Sequence, residues 1–164
     1  NTSSKARKCN VRSRLMNERI WRNIMGRRIN DFMTKDPACC TPDTSLQDVA
    51  RMMIEHDCGC IPVVENGIPI GTVTDRDITV RLVAAGKNPV HLTAKDCMTE
   101  ACVTVKENAA LNEAMNLMEE NRIRRILVVD PSGTCCGIVA QADIARHADK
   151  KETGEVVQQV SQPV

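Results

Sequence analysis

The sequence predicts an α/β (α+β) protein made of two β-α-β-β-α units that pack sheet to sheet with pseudo-twofold symmetry. The first observation is an internal repeat, because residues 31–34 (DFMT) return about 65 residues later as residues 96–99 (DCMT). The second is that, in each copy, apolar residues recur at the spacing of a helix and are followed by short β runs. The third is composition: 42% of the 164 residues are hydrophobic but only 1% aromatic, so the core must be built from aliphatic side chains, Met and Cys.

Further segments recur in the same order and extend the repeat over residues 31–148. The matching pairs are 38–41 with 101–104, 46–53 with 111–118, 61–65 with 126–130, and 71–78 with 137–144. One unit is too small to close a core alone, so the two copies are expected to pack together. The predicted organisation is a basic leader (1–30), a first repeat (31–90), a second repeat (91–148) and a C-terminal tail or helix (149–164).

The first half of each unit is a short extended segment followed by a helix. The extended segments are residues 38–41 and 101–105. The helices begin at Leu46 and Leu111, where apolar residues recur at i, i+3, i+4 and i+7. Residues 43–45 offer N-caps for the first helix, and Asn108 is the predicted cap of the second.

The second half of each unit is a β-hairpin followed by another helix. In the first copy the β runs are residues 60–64 and 68–74, joined at Asn66-Gly67, a dipeptide that favours a tight turn with positive φ at both positions. Residues 131–133 supply the turn in the second copy. The last helix is expected from Asp75 to Gly86, and its counterpart from Gln141.

The charge distribution argues against nucleic-acid binding by the repeats. Nine of the 22 Lys and Arg residues, but only Glu18 of the 21 acidic residues, lie in residues 1–30, so the body of the protein is acidic. No apolar run approaches the ~20 residues of a membrane-spanning helix. We therefore expect a cytoplasmic protein without membrane contact.

Binding chemistry is concentrated where the last β run of the first copy meets its helix. Gly71 would allow a ligand close to the backbone, and the Thr74 hydroxyl at the helix start suits a phosphate. Asp77 lies one turn further on and can accept hydrogen bonds from paired hydroxyls such as those of a ribose, with Arg76 adjacent. This combination predicts a nucleotide site. The alternative is that Thr74 and Asp77 only stabilise the helix N-terminus.

The second copy differs at the same place. Ala140 replaces the threonine, whereas Asp143 keeps the hydroxyl acceptor. Arg124 and Arg125 precede its β run and could reach phosphate, the alternative being a solvated loop face. The two copies are therefore complementary, and one site between them could draw on both.

The ordered motifs D-x-M-T, I-P-V-V and G-x-V-T-D-R-D-I, each with a counterpart in the second copy, resemble those of tandem CBS domains, the Bateman module. The resemblance covers residues 31–148 and implies a regulatory binding protein rather than an enzyme, of the stand-alone bacterial type. It implies an adenosine ligand: AMP, ADP or ATP, with S-adenosylmethionine and NAD as alternatives, and no obligatory cofactor. It also implies a homodimer that acts on a target protein in trans.

The resemblance also assigns ligand contacts. Thr74, Asp77 and Asp143 would bind ribose and phosphate, and the arginines would bind phosphate. The adenine would lie between a threonine before the first helix, Thr41 or Thr104, and the β runs. From those runs the resemblance assigns Ile61, Thr72 and Ile138.

The nine cysteines support a second hypothesis. Their odd number and the lack of an apolar secretory signal favour reduced, mostly buried thiols. The alternative is a thiol-based redox or metal sensor using Cys39, Cys40, Cys58 and Cys60. Neighbouring cysteines on a strand point to opposite faces, and their spacing matches no standard zinc pattern, so no metal site is predicted. The scattered histidines predict no catalytic group.

Overall fold

The secondary structure follows the repeated order predicted above. The computed structural model describes residues 27–100 and 102–147. The strands are β1 (Thr34–Lys35), β2 (Cys60–Glu65), β3 (Ile68–Thr74), β4 (Thr99–Glu100), β5 (Thr104–Lys106), β6 (Arg125–Val129) and β7 (Cys135–Ala140). The helices are α1 (Leu46–Glu55), α2 (Asp75–Asp77, continued by a π-helical turn over Ile78–Val83), α3 (Leu111–Glu120) and α4 (Gln141–His147). The predicted tail, and the predicted leader up to residue 26, lie outside the described residues.

The two sheets exchange their first strands. One sheet has the order β1-β7-β6-β5 and the other β2-β3-β4. Thr34 of β1 pairs with Ile138 in the second repeat, and Thr99 of β4 pairs with Thr72 in the first. The D-x-M-T segment near the start of each repeat therefore completes the sheet of the other repeat and joins the two.

The hydrophobic core follows the same exchange. One cluster is built around α3, β6 and β7 of the second repeat, and it includes Ile29 and Phe32 from the segment before β1. The other is built around α1, β2 and β3 of the first repeat, and it includes Ala94 and Cys97 from the connecting segment. Burial of these side chains ties each connecting segment to the opposite repeat.

The sequence predicted most element positions but not all of them. Ser45 caps α1, since its Oγ accepts the Asp48 N–H at 3.1 Å. The prediction for Asn108 was wrong: α3 has Ala110 at its N-cap, and the backbone carbonyl of Asn108 accepts a hydrogen bond from the Arg28 guanidinium. Both turn residues of the first hairpin, Asn66 and Gly67, have the expected positive φ.

The extended segments are shorter than predicted. In residues 38–41 only Cys40 forms a bridge, to Val63 of β2. Pro37 and Pro42 flank this segment and have no N–H with which to lengthen a ladder. In the second copy β5 begins at Thr104 and runs parallel to β6. None of the helices in the described residues has the length and apolar character needed to cross a bilayer.

Candidate functional site

A cleft of about 870 Å³ lies between the two repeats. Its lining comes from Cys60, Thr72, Thr74, Asp75, Arg76, Asp77 and Thr99 on one side, and from Cys102, Val103, Arg122, Ile123, Arg124, Arg125, Leu127, Ala140, Gln141 and Ala142 on the other. This volume lies in the usual range for small-molecule sites.

The two hairpins place equivalent ends at this cleft. In the first repeat, Cys60 at the start of β2 is opposite Thr74 at the end of β3. In the second repeat, Arg125 at the start of β6 is opposite Ala140 at the end of β7. Each hairpin thus presents the junction between its last strand and the following helix, where backbone and side-chain polar groups are available to a ligand.

Thr74 and Asp77 form a closed capping box at the start of α2. Thr74 donates to Asp77 Oδ2 from its backbone N–H at 3.0 Å and from its hydroxyl at 2.6 Å. In return the Thr74 Oγ1 accepts the Asp77 N–H at 3.0 Å. Thr74 and Asp77 therefore do stabilise the helix N-terminus, which was the alternative to a binding role. Both side chains also line the cleft, so the cap fixes them at its wall.

Arg81 forms an ion pair with the other carboxylate oxygen of Asp77. The sequence analysis did not identify this arginine. Its Nε lies 3.3 Å from Asp77 Oδ1, and the Asp77 side chain is only 15% exposed. Its two terminal nitrogens donate to the carbonyls of Cys97 and Met98 and to Thr99 Oγ1, at 2.8 to 2.9 Å. Arg81 thus links Asp77 to the connecting segment. The i, i+4 spacing from Asp77 was the signal that could have identified it.

The cleft lining carries an excess of positive charge. Four arginines line it, against the two carboxylates of Asp75 and Asp77. All four are exposed, and three of them, Arg122, Arg124 and Arg125, come from the second repeat. Guanidinium groups recognise phosphate through paired N–H donors, so the cleft favours an anionic ligand.

Cys60 adds no negative charge to this wall. Its burial raises the pKa of the thiol to about 11, although the Arg125 guanidinium acts in the opposite direction. The thiol is therefore neutral near pH 7. Burial also raises the pKa values of Cys40 and Cys97 to about 11, as expected for structural thiols.

The structure brings about half of the predicted binding residues to this cleft. Thr72, Thr74, Arg76, Asp77, Arg124 and Arg125 line it, whereas Thr41, Ile61, Thr104, Ile138 and Asp143 are not among its lining residues.

Two of the predicted residues that do not line the cleft have structural contacts of their own. Ile61 is fully buried in the core of the first repeat. Asp143 accepts the Ala140 N–H at 2.8 Å, and its carboxylate lies 3.7 Å from Arg146.

The cysteines of the alternative hypothesis do not form one group. Within residues 27–100 and 102–147, no three His, Cys, Asp or Glu side chains are close enough together to hold a metal ion. The Cys39 thiol donates to the Pro37 carbonyl at 3.2 Å. Cys40 and Cys60 are buried.

Comparison with known sequences identifies both repeats. The CBS domain family matches residues 29–84 and 94–150. The CBS domain-containing protein YhcV of Bacillus subtilis is 35% identical over 125 residues, 76% of this chain and 88% of that protein. Hypoxic response protein 1 of Mycobacterium tuberculosis is 33% identical over 82% of this chain and 94% of its own length. In the uncharacterized protein MK0525 of Methanopyrus kandleri, 36% identical over 117 residues, the match spans only 60% of that protein.

Solved structures share the fold. The crystal structure of hypoxic response protein I with two coordinated zinc ions is 34% identical, with a TM-score of 0.67 over 75% of this chain and all of that chain. The CBS domain pair of MJ0100, solved with 5'-methylthioadenosine and S-adenosylmethionine, is 26% identical, with a TM-score of 0.66 over 73% of this chain and 98% of that one. CBSX2 in complex with AMP is 24% identical, with a TM-score of 0.63 over 73% of this chain and 94% of that one. These matches confirm the predicted family and fold class.

Proposed function

The chain belongs to the CBS domain family, and we propose that it is a regulatory module that binds an adenosine nucleotide in the cleft between its two repeats. One observation carries the proposal. A single cleft combines the Asp77 carboxylate, which can accept hydrogen bonds from hydroxyls, with three arginines of the other repeat: Arg122, Arg124 and Arg125. The first suits a ribose and the second suits phosphate. A ligand that needs both must contact both repeats.

The proposed roles follow from the contacts. Asp77 accepts hydrogen bonds from the ribose hydroxyls, and Arg81 keeps its carboxylate in place. Arg124 and Arg125 bind phosphate from the opposite wall, with Arg76 on the near side. Thr74 gives up its hydroxyl contact with Asp77 when it donates to the ligand.

The other predicted contacts remain part of the proposal as weaker contributors. They are the residues that do not line the described cleft: Thr41, Ile61, Thr104, Ile138 and Asp143. Ile61 would contribute through its backbone only, since its side chain is buried in the core of the first repeat. Asp143 has a carboxylate but no neighbouring hydroxyl, because Ala140 stands where the first copy has Thr74.

The ligand class is supported by chemistry and by the structural neighbours. MJ0100 was solved with S-adenosylmethionine and 5'-methylthioadenosine, and CBSX2 with AMP. The excess of arginines in this cleft favours the ligands with phosphate, so we propose AMP, ADP or ATP ahead of S-adenosylmethionine, which has none. NAD, which also carries phosphate, is the second alternative. The regulatory step would be a population shift, since a ligand held by both repeats stabilises one of their relative orientations.

A thermal-shift screen tests the proposed function. A ligand bound only by the folded state adds RT ln(1 + [L]/Kd), about 2.7 kcal/mol at a hundredfold excess over Kd, so AMP, ADP or ATP should raise the melting temperature. AMP should stabilise more than adenosine because of the cleft arginines. The control is the double variant Arg124→Met and Arg125→Met, in which AMP and adenosine should raise the melting temperature by nearly the same amount. An absent shift with every adenosine ligand at millimolar concentration contradicts the proposal.

We also propose that the protein is a homodimer through a helical face. Ile54 on α1, Val80 and Val83 on the π-helical turn, and Val90 in the following turn are 52–81% exposed, although each is apolar. Clustered exposed apolar side chains favour a partner. Sedimentation velocity should give a mass of twice 18.1 kDa, and a concentration-independent monomer would contradict this part of the account.

A further inference from the structure

The guanidinium of Arg81 joins the proposed ribose acceptor to the connecting segment, residues 94–100. Its Nε lies 3.3 Å from Asp77 Oδ1, and one terminal nitrogen donates to the carbonyls of Cys97 and Met98 at 2.8 and 2.9 Å. The other terminal nitrogen donates to Thr99 Oγ1 at 2.9 Å. All three nitrogens are therefore engaged, and the planar guanidinium fixes where the carboxylate lies relative to the segment.

The segment that Arg81 contacts is held by a short strand pairing. β4 has only two residues, and each pairs with one residue of β3. Before β4, burial of Ala94 and Cys97 holds the segment in the core of the first repeat. Arg81 adds three hydrogen bonds across this stretch, so it contributes directly to the attachment of the segment to the first repeat.

The second repeat has a different residue at the equivalent position. Arg81 follows Asp77 by four residues, whereas His147 follows Asp143 by four. The arginine beside Asp143 is Arg146, one residue earlier, at 3.7 Å and with a side chain that is 76% exposed. Arg146 is therefore a matched control for Arg81, since it lies next to the equivalent aspartate of the other repeat.

We propose that Arg81 is a positioning residue that couples nucleotide binding at Asp77 to the strand pairing that joins the repeats. The inference rests on the proposed function, in which Asp77 accepts hydrogen bonds from the ribose. A ligand held by Asp77 restrains its carboxylate and, through the guanidinium, the carbonyls of the connecting segment. Such coupling is reciprocal, so a change that releases the segment must also weaken ligand binding.

Alkylation of Cys97 with and without AMP tests the coupling on the full chain. Cys97 and Cys40 are buried in the same core, and burial raises the pKa of both thiols to about 11, so Cys40 is the internal reference. In the wild type, saturating AMP should slow Cys97 alkylation about fivefold more than Cys40 alkylation, the lower end of the usual coupling range. Mass spectrometry after digestion measures each thiol separately. The ratio of rates with and without AMP cancels differences in intrinsic reactivity.

Two substitutions of Arg81 separate its charge from its hydrogen bonds. Arg81→Lys keeps a positive charge but has a single nitrogen for four acceptor atoms, and Arg81→Met has none. Both variants should bind AMP about fivefold more weakly and lose the extra protection of Cys97 at saturation. Arg146→Met should behave like the wild type. Melting curves check folding, and Arg81→Lys alone decides the test if Arg81→Met does not fold.

Calorimetry distinguishes a failure of this inference from a failure of the proposed function. The coupling is overturned if AMP saturates the wild type but Cys97 is protected no more than Cys40. It is also overturned if Arg81→Lys keeps the full protection of Cys97, because charge alone would then be sufficient. An absence of AMP binding to the wild type would instead contradict the proposed function, and the coupling with it.

Discussion

Replacing Asp77 with alanine should weaken nucleotide binding about ten- to a hundredfold, because a hydrogen bond to a charged group contributes roughly 1.5–3 kcal/mol. Asp77 is the carboxylate at the cleft wall that is fixed by both Thr74 and Arg81. Asp143→Ala should lower the nucleotide affinity less than Asp77→Ala does, since Asp143 does not line the described cleft. Calorimetric titration of wild type and both variants with AMP measures the difference.

Asp77→Ala also removes a helix cap, so the loss of affinity must be separated from a loss of stability. The protein offers a matched control in Thr93 and Asp96, which form the same capping box at 2.8 and 3.0 Å but do not line the cleft. Asp96→Ala should leave the AMP affinity unchanged. A dominant loss from Asp143→Ala, with Asp77→Ala silent, would place the principal site in the other repeat.

Gly71→Ala should lower the free energy of unfolding by about 1–3 kcal/mol, the usual cost of overpacking. A Cβ at this position would lie 2.7 Å from the backbone carbonyl of Thr99 and 3.2 Å from the Met98 sulfur. Because the carbonyl belongs to β4, the added methyl group would push β4 away from β3 and weaken the strand pairing that joins the repeats. Urea denaturation measures the change.

Gly59→Ala is the control for this substitution. A Cβ there would meet only the Asp75 carboxylate, at 3.0 Å, and an exposed side chain can move aside. Gly59→Ala should therefore change stability less than Gly71→Ala. An unchanged urea midpoint for Gly71→Ala would mean that β4 contributes little to holding the two repeats together.

The sequence predicted the elements well and their pairing poorly. The helix at Leu46 and the hairpin at Asn66 have strong local signals, an apolar period and a turn that needs positive φ. The strand exchange has no local signal in the sequence, because a repeated motif shows that two segments are equivalent but not which sheet each one joins. Two-residue strands such as β1 and β4 are also too short to show alternation. The side chains that settle the exchange are Ile29 and Ala94, buried in the opposite repeats.

The site was predicted in part for a similar reason. Thr74 and Asp77 lie on one helical turn, so their proximity could be predicted from spacing alone. The approach of Arg124 to them depends on how the repeats pack, and only the repeat argument suggested it. Contributions from Cys102 and Ile123 could not be anticipated, since neither residue carries a binding signal of its own. Ile61 faces the core because β2 is buried along most of its length.

Hydrogen exchange with and without AMP tests most directly whether the ligand occupies the cleft between the repeats. At saturating AMP, amide exchange should slow in peptides covering residues 72–77 and in peptides covering residues 122–125, because these segments form the two walls. Exchange around Thr93 and Asp96 should not change. Protection confined to one repeat, or no protection under conditions where calorimetry shows saturation, would contradict a nucleotide site shared between the repeats.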